Sequence, residues 1–251
     1  MAIKDEAAFE ELKPYLKMTV APNGVTVGDL NFVVAQTQWS TALLPIVADN
    51  TISADVNLPL FQTAQGDPGQ NFTTGLTISQ TSWQDSQGRL PANQVFIATS
   101  CGFQIFVRNT AVSSGTLAAP ATEFLLTNIS ATHAIARKLS WEVTIGDGIT
   151  RNYGSLLDYS GYGGVYSVVN PSPTATLGAA GVQMGHPDTH GRKMRIPLVF
   201  PPNISVRINV RGGDGFTVDD AAGAGNATLL TGNFLAVKQY LHGYLCTMPV
   251  G

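Results

Sequence analysis

Short runs of alternating apolar and polar residues, broken by turn residues, fill most of the chain beyond its first twenty positions. Alternation is plainest in Ser205-Val-Arg-Ile-Asn-Val210, where Val206, Ile208 and Val210 fall on one face of an extended strand. The same rhythm predicts strands over 25–27, 31–35, 54–61, 75–80, 94–98, 104–108 and 123–129. A second series is predicted over 138–145, 164–169, 195–200, 205–210, 227–230 and 235–245. Turn chemistry lies between them, as in Pro22-Asn-Gly24, Gly66-Asp-Pro-Gly69, Gly146-Asp-Gly148 and Gly212-Gly-Asp-Gly215. No strand-then-helix alternation argues for a parallel sheet, so the expected class is all-β, built of sandwiches or barrels.

The first residues follow a different period. Ile3, Ala7, Phe9, Leu12 and Leu16 recur at helical spacing among Lys4, Asp5, Glu6, Glu10, Glu11, Lys13 and Lys17. Asp5 and Glu6 suit a helix N-terminus, and Pro14 should stop or kink the helix near Lys13. The pattern predicts a short amphipathic N-terminal helix within an arm over 1–20. Its apolar stripe, with Phe9, Leu12 and Leu16, either packs on its own domain or touches a neighbouring subunit or a membrane surface. The acidic polar face disfavours strong binding to anionic lipid. A second change of pattern near 131–138 suggests a domain boundary. The spans 21–134 and 135–251 each hold enough predicted strands for one jelly-roll β-sandwich, giving two in tandem.

Composition narrows the function. The chain has 251 residues, 44% hydrophobic but only 12% charged, against about 25% charged in ordinary globular domains. So little charge reads either as a β protein with a Ser/Thr/Asn/Gln surface or, the favoured reading, as a surface largely covered by neighbours. A formal net charge of −3 gives no general electrostatic drive toward nucleic acid, so no sequence-specific nucleic acid is expected as a partner. No apolar run reaches the length of a membrane span, and Met1-Ala-Ile-Lys-Asp-Glu-Ala-Ala8 lacks the pattern of a secretory signal. The expected setting is a cytoplasm, up to assembly. Cys101 and Cys246 sit in apolar stretches and are expected to be buried free thiols.

Signatures of catalysis are sparse. The phosphate-binding Gly-rich loop, the Gly-x-Ser-x-Gly elbow and the His-Glu-x-x-His zinc motif are all missing. Beyond the first 17 residues the only glutamates are Glu123 and Glu142, both in predicted strands. His186, Asp188 and His190 are weak candidates for a metal site. Pro187 and the flanking glycines make this a loop, however, and a further ligand such as Asp158 or His133 would be needed. Asp214, Asp219 and Asp220 lie in a Gly-rich stretch that could attract calcium, without the spacing of an EF-hand. Arg192, Lys193, Arg195, Arg207 and Arg211 form the one basic concentration, suited to phosphate or lipid headgroups, to ion pairs with a neighbour, or simply to solvent. Tyr159, Tyr162 and Tyr166 punctuate a Gly-rich run that reads either as an intersubunit loop or as a sugar platform. No catalytic residue and no required cofactor are expected.

The segment order resembles that of a known family. Phe72-Thr-Thr-Gly-Leu-Thr-Ile-Ser-Gln-Thr-Ser-Trp83 followed by Gly88-Arg-Leu-Pro-Ala-Asn-Gln-Val-Phe-Ile97 is similar to the first half of double-jelly-roll major capsid proteins. These build the shells of tailless icosahedral bacteriophages that carry an internal membrane. Leu139-Ser-Trp-Glu-Val-Thr-Ile-Gly146, Ile196-Pro-Leu-Val-Phe-Pro-Pro-Asn203, Val206-Arg-Ile-Asn-Val210 and Val237-Lys-Gln-Tyr-Leu-His-Gly-Tyr244 resemble the second half in layout. The resemblance implies a self-assembling virion shell protein, with homotrimers acting as pseudo-hexagonal capsomers. Neighbouring capsomers, vertex proteins and the internal membrane surface would be its partners. A carbohydrate- or receptor-binding sandwich of a spike or fibre is the alternative expectation. An enzyme using Asp158 with His186 or His190 is a third.

Overall fold

The computed structural model describes residues 32–72, 74–85, 88–108, 123–124, 135–146, 148, 150–159, 192–218 and 233–247. Its strands are β1 (Phe32–Pro45), β2 (Thr51–Ile52), β3 (Val56–Leu60), β4 (Gln94–Arg108), β5 (Glu123–Phe124) and β6 (Ser140–Ile145). They continue with β7 (Arg151–Ser155), β8 (Arg192–Phe200), β9 (Val206–Gly212), β10 (Phe216–Thr217) and β11 (Phe234–Thr247). The first sheet runs β1-β11-β4, with β5 and β8 both on the far edge of β4. The second runs β3-β9-β6-β7, and β10 with β2 makes a small ribbon. Every one of these pairings is antiparallel. The fold is an all-β sandwich.

Setting aside the two-residue strands, the remaining eight pair as a nest. The first bonds to the last (β1 with β11), the second to the seventh (β3 with β9), the third to the sixth (β4 with β8) and the fourth to the fifth (β6 with β7). A long antiparallel ribbon rolled up on itself produces this order, which is that of a jelly roll. The roll draws strands from both 21–134 and 135–251, and the expected boundary falls inside it, between β4 and β6. The described strands of the two spans thus share the same sheets. The physical reason is plain in β4, which takes β11 on one edge and β8 on the other, both from the second span. The N-terminal arm over 1–20 lies outside the described residues.

One core fills the space between the sheets. Leu58 and Leu60 of β3, Phe96 and Ala98 of β4, Trp141 of β6, Phe200 of β8 and Leu235, Val237 and Leu241 of β11 are all buried in it. Val206, Ile208 and Val210 point inward along β9 as their alternation predicts, with Arg207 and Arg211 exposed. Burying one such side chain contributes about 1.5–3 kcal/mol, so the core carries most of the stability.

Several predicted strands change extent. The segments 94–98 and 104–108 are one 15-residue strand. Gly102 reads as a break but stays in the ladder opposite Tyr240. The strand expected over 31–35 continues to Pro45. No strand forms over 75–80, which turns back after an isolated bridge between Pro68 and Gly75. A bulge at Thr99 of β4, opposite His242 and Gly243 of β11, brings the backbones so close that a Cβ on Gly243 would collide with the Ile97 carbonyl. The strands expected over 25–27, 164–169 and 227–230 lie outside the described residues.

Candidate functional site

The connection over 61–93, between β3 and β4, wraps the outer edge of β1. An uncovered edge strand would offer its backbone groups to any passing chain. Here Trp39 donates its backbone N–H to Ser82 Oγ (2.8 Å), and the Ser82 N–H donates back to the Trp39 carbonyl (2.9 Å). Phe61 N–H donates to Ser40 Oγ at 2.9 Å, Thr41 Oγ1 to the Gln80 carbonyl at 2.8 Å, and Asn71 Nδ2 to the Leu43 carbonyl at 2.8 Å. Past the edge, Phe72 reaches the outer face of the first sheet and packs against Leu43, Phe106 and Ala236.

The same connection forms one wall of a cleft of about 830 Å³ at the end of the sandwich where β1 enters. Gln36 and Gln38 of β1, Gln94 of β4 and Asn203 of the β8–β9 turn meet Asp67, Trp83, Asp85 and Arg89 there. Ser82 Oγ donates to Gln38 Oε1 at 2.6 Å and fixes that amide. Trp83 is 2% exposed, its ring held edge-on to Phe61 at 5.6 Å and tilted against Phe200 at 5.7 Å. Its indole N–H has no hydrogen-bond partner among the described residues.

A second aromatic group lies elsewhere in the interior. Trp141 stacks on Tyr153 at 4.4 Å and meets Phe103 and Tyr159 edge-on at 5.7 and 5.3 Å. Gln239, fully buried, donates through Nε2 to Cys101 Sγ at 3.2 Å. Burial pushes the Cys101 thiol up to about 12, outweighing that hydrogen bond, and raises the Tyr153 and Tyr159 phenols above their ordinary value. Cys101 and Cys246 are both buried free thiols, as expected, and Cys101 is a neutral packing residue rather than a nucleophile.

Tyr159 is the one predicted interface residue within the described part of the chain. It is half-buried against Trp141, with the Arg192 guanidinium 5.5 Å from its ring centre. Arg192 also donates to the Asp158 carbonyl at 2.8 Å and lies 3.7 Å from the Asp158 carboxylate. These contacts clamp together the two ends of the 160–191 segment. With Arg192 over its ring and Trp141 packed edge-to-face against it, Tyr159 is poorly placed as a sugar platform. Phe9, Leu12, Leu16, Tyr162, Tyr166, His186, Asp188 and His190 lie outside the described residues, as do His133, Asp219 and Asp220. Among the described residues no three His, Cys, Asp or Glu side chains gather as a metal site. No helix among them is long and apolar enough to cross a membrane.

The basic residues do not form one patch. Arg211 donates through Nε to Glu142 Oε1 at 2.7 Å on the outer face of the second sheet. Arg207 is exposed on that face, while Arg192 and Lys193 belong to β8 in the other sheet. Exposed Ile196 stands on β8 where four of its residues, 194–197, face Thr99 alone in β4. Sequence reasoning missed the cleft. Its signal was the density of amide side chains around Trp39 and Trp83, which reads as surface until the connection folds back on β1. Comparison with known proteins found no matching family model, no matching curated protein and no matching solved structure.

Proposed function

We propose that this chain is a virion shell protein that works by assembling with copies of itself. The observation that carries the reading is the nested pairing of eight strands into a jelly roll, an architecture shared by viral capsid and lectin domains. Composition separates these uses. At 12% charged, the chain has few charges to desolvate when sandwich flanks meet. Asn57, Ser140, Thr144 and Asn209 line the outer face of the second sheet, where the Arg211–Glu142 pair satisfies two of its charges internally. Such a face asks a neighbour to meet few charges, exposed Arg207 foremost among them.

Stoichiometry follows from counting rolls. A chain with two rolls would fill a sixfold position as a trimer. With the one roll that the described residues form, a sixfold position would take six chains and a fivefold vertex five. Vertex proteins and an internal membrane remain proposed partners, the membrane contact falling to the N-terminal arm. Native mass spectrometry of the purified full chain tests the reading. Pentamers, hexamers or closed shells are expected, and a strict monomer across the accessible concentration range would overturn it.

A further inference from the structure

We propose that the cleft beside Trp83 binds a neutral saccharide. This goes beyond assembly and stands or falls separately from it. The cleft's volume of about 830 Å³ falls within the ~300–1,000 Å³ typical of small-ligand sites. Its lining sets the chemistry. Gln36, Gln38, Gln94 and Asn203 each carry both a donor and an acceptor, matching the dual character of a hydroxyl group. Two carboxylates, Asp67 and Asp85, share the walls with a single guanidinium, Arg89, which disfavours an anionic ligand. So many polar groups are equally unsuited to a lipid tail.

Trp83 supplies an independent observation. Trp83 lines the cleft, and its indole N–H, itself closed to solvent, has no partner among the described residues. A buried donor left unpaired is costly, and a ligand oxygen accepting from it would be selected over an analogue lacking that oxygen. The ring is fixed by Phe61 and Phe200, and the Trp83 carbonyl accepts from Gln65 N–H at 2.9 Å. The cleft is thus formed before any ligand arrives, save that its wall must give slightly for a ligand oxygen to reach the buried N–H. Because Phe61 and Phe200 occupy the ring, Trp83 contributes a hydrogen bond rather than a stacking surface, and the expected affinity is weak.

Saturation-transfer NMR on the full chain tests this, whether the chain is free or assembled. The probes are glucose, galactose, mannose and N-acetylglucosamine, with N-acetylneuraminic acid and inorganic phosphate as anionic controls. At least one neutral sugar is expected to show saturable transfer. Trp83→Phe, which keeps the ring and removes the donor, and Asp67→Asn at the exposed rim should each weaken it about tenfold. Arg207→Ala, on the other side of the molecule's second sheet, should leave it unchanged. Should Trp83→Phe fail to fold, Asp67→Asn and Gln36→Leu carry the test. Absence of saturable transfer from every neutral sugar overturns the proposal. So does transfer that survives the cleft substitutions, or that occurs with the anions alone.

Discussion

The two sheets turn unlike outer faces to their surroundings. On the first, Leu43, Phe106 and Ala236 are buried although they point away from the core, because the 61–93 connection folds over them and adds Phe72. On the second, Asn57, Arg207 and Arg211 are exposed, and Asn209, Glu142 and Thr144 are half-buried beside them. Apolar side chains on an outer face demand a cover, and the chain provides it. Polar side chains demand none, so the second face stays open to a neighbour. The same sandwich thereby closes one flank and leaves the other available.

The difference can be broken most sharply at Phe106. Phe106→Ala empties the covered cluster and should cost about 3–4 kcal/mol in urea unfolding. Arg207→Ala on the open face should stay within about 0.5 kcal/mol. Equal effects would dissolve the contrast. Gly75→Ala drives a Cβ into the Gly66 backbone and should loosen the cover itself. About 2 kcal/mol of destabilisation is expected, with faster hydrogen exchange at the Leu76 amide, which now donates to the Asp67 carbonyl at 2.9 Å.

Alkali should act on the interior shared by both sheets and ignore their outer faces. Cys101 has its pKa raised from 9.0 to about 12 in the folded chain. The folded state holds the proton that the unfolded state releases, so stability is full below pH 9 and falls as pH rises toward 12. The slope approaches about 1.4 kcal/mol per pH unit for this thiol, measurable by thermal melts from pH 7 to 11. A flat profile would contradict the burial. Ser82→Ala removes the hydroxyl shared by Gln38 and Trp39 and should cost about 1 kcal/mol. Arg211→Ala breaks a partly exposed ion pair and should cost only about 0.5 kcal/mol, less at high salt.

How much the sequence revealed depended on which way polar residues face. β9 was legible because Val206, Ile208 and Val210 alternate with polar residues that reach solvent. β1 was legible only at its start. Its continuation through Gln36, Gln38 and Ser40 turns polar side chains inward, toward the cleft and the connection, so the usual code is inverted. The division into two rolls was drawn from strand rhythm alone. Strand rhythm is local, whereas β1 meets β11 across nearly the whole chain, and nothing in a short window reports that pairing. The cleft was hidden by the same long-range folding, since residues 36–38, 67, 83–89 and 203 come together only in the roll.

The central claim is that this roll closes shells through its open flank. Electron microscopy of the purified full chain, with sedimentation velocity, tests it most directly when run beside Arg207→Glu. The account predicts closed particles from the unaltered chain, and folded but unassembled subunits from the variant. A monodisperse monomer from the unaltered chain, or shells that form equally well from the variant, would contradict it.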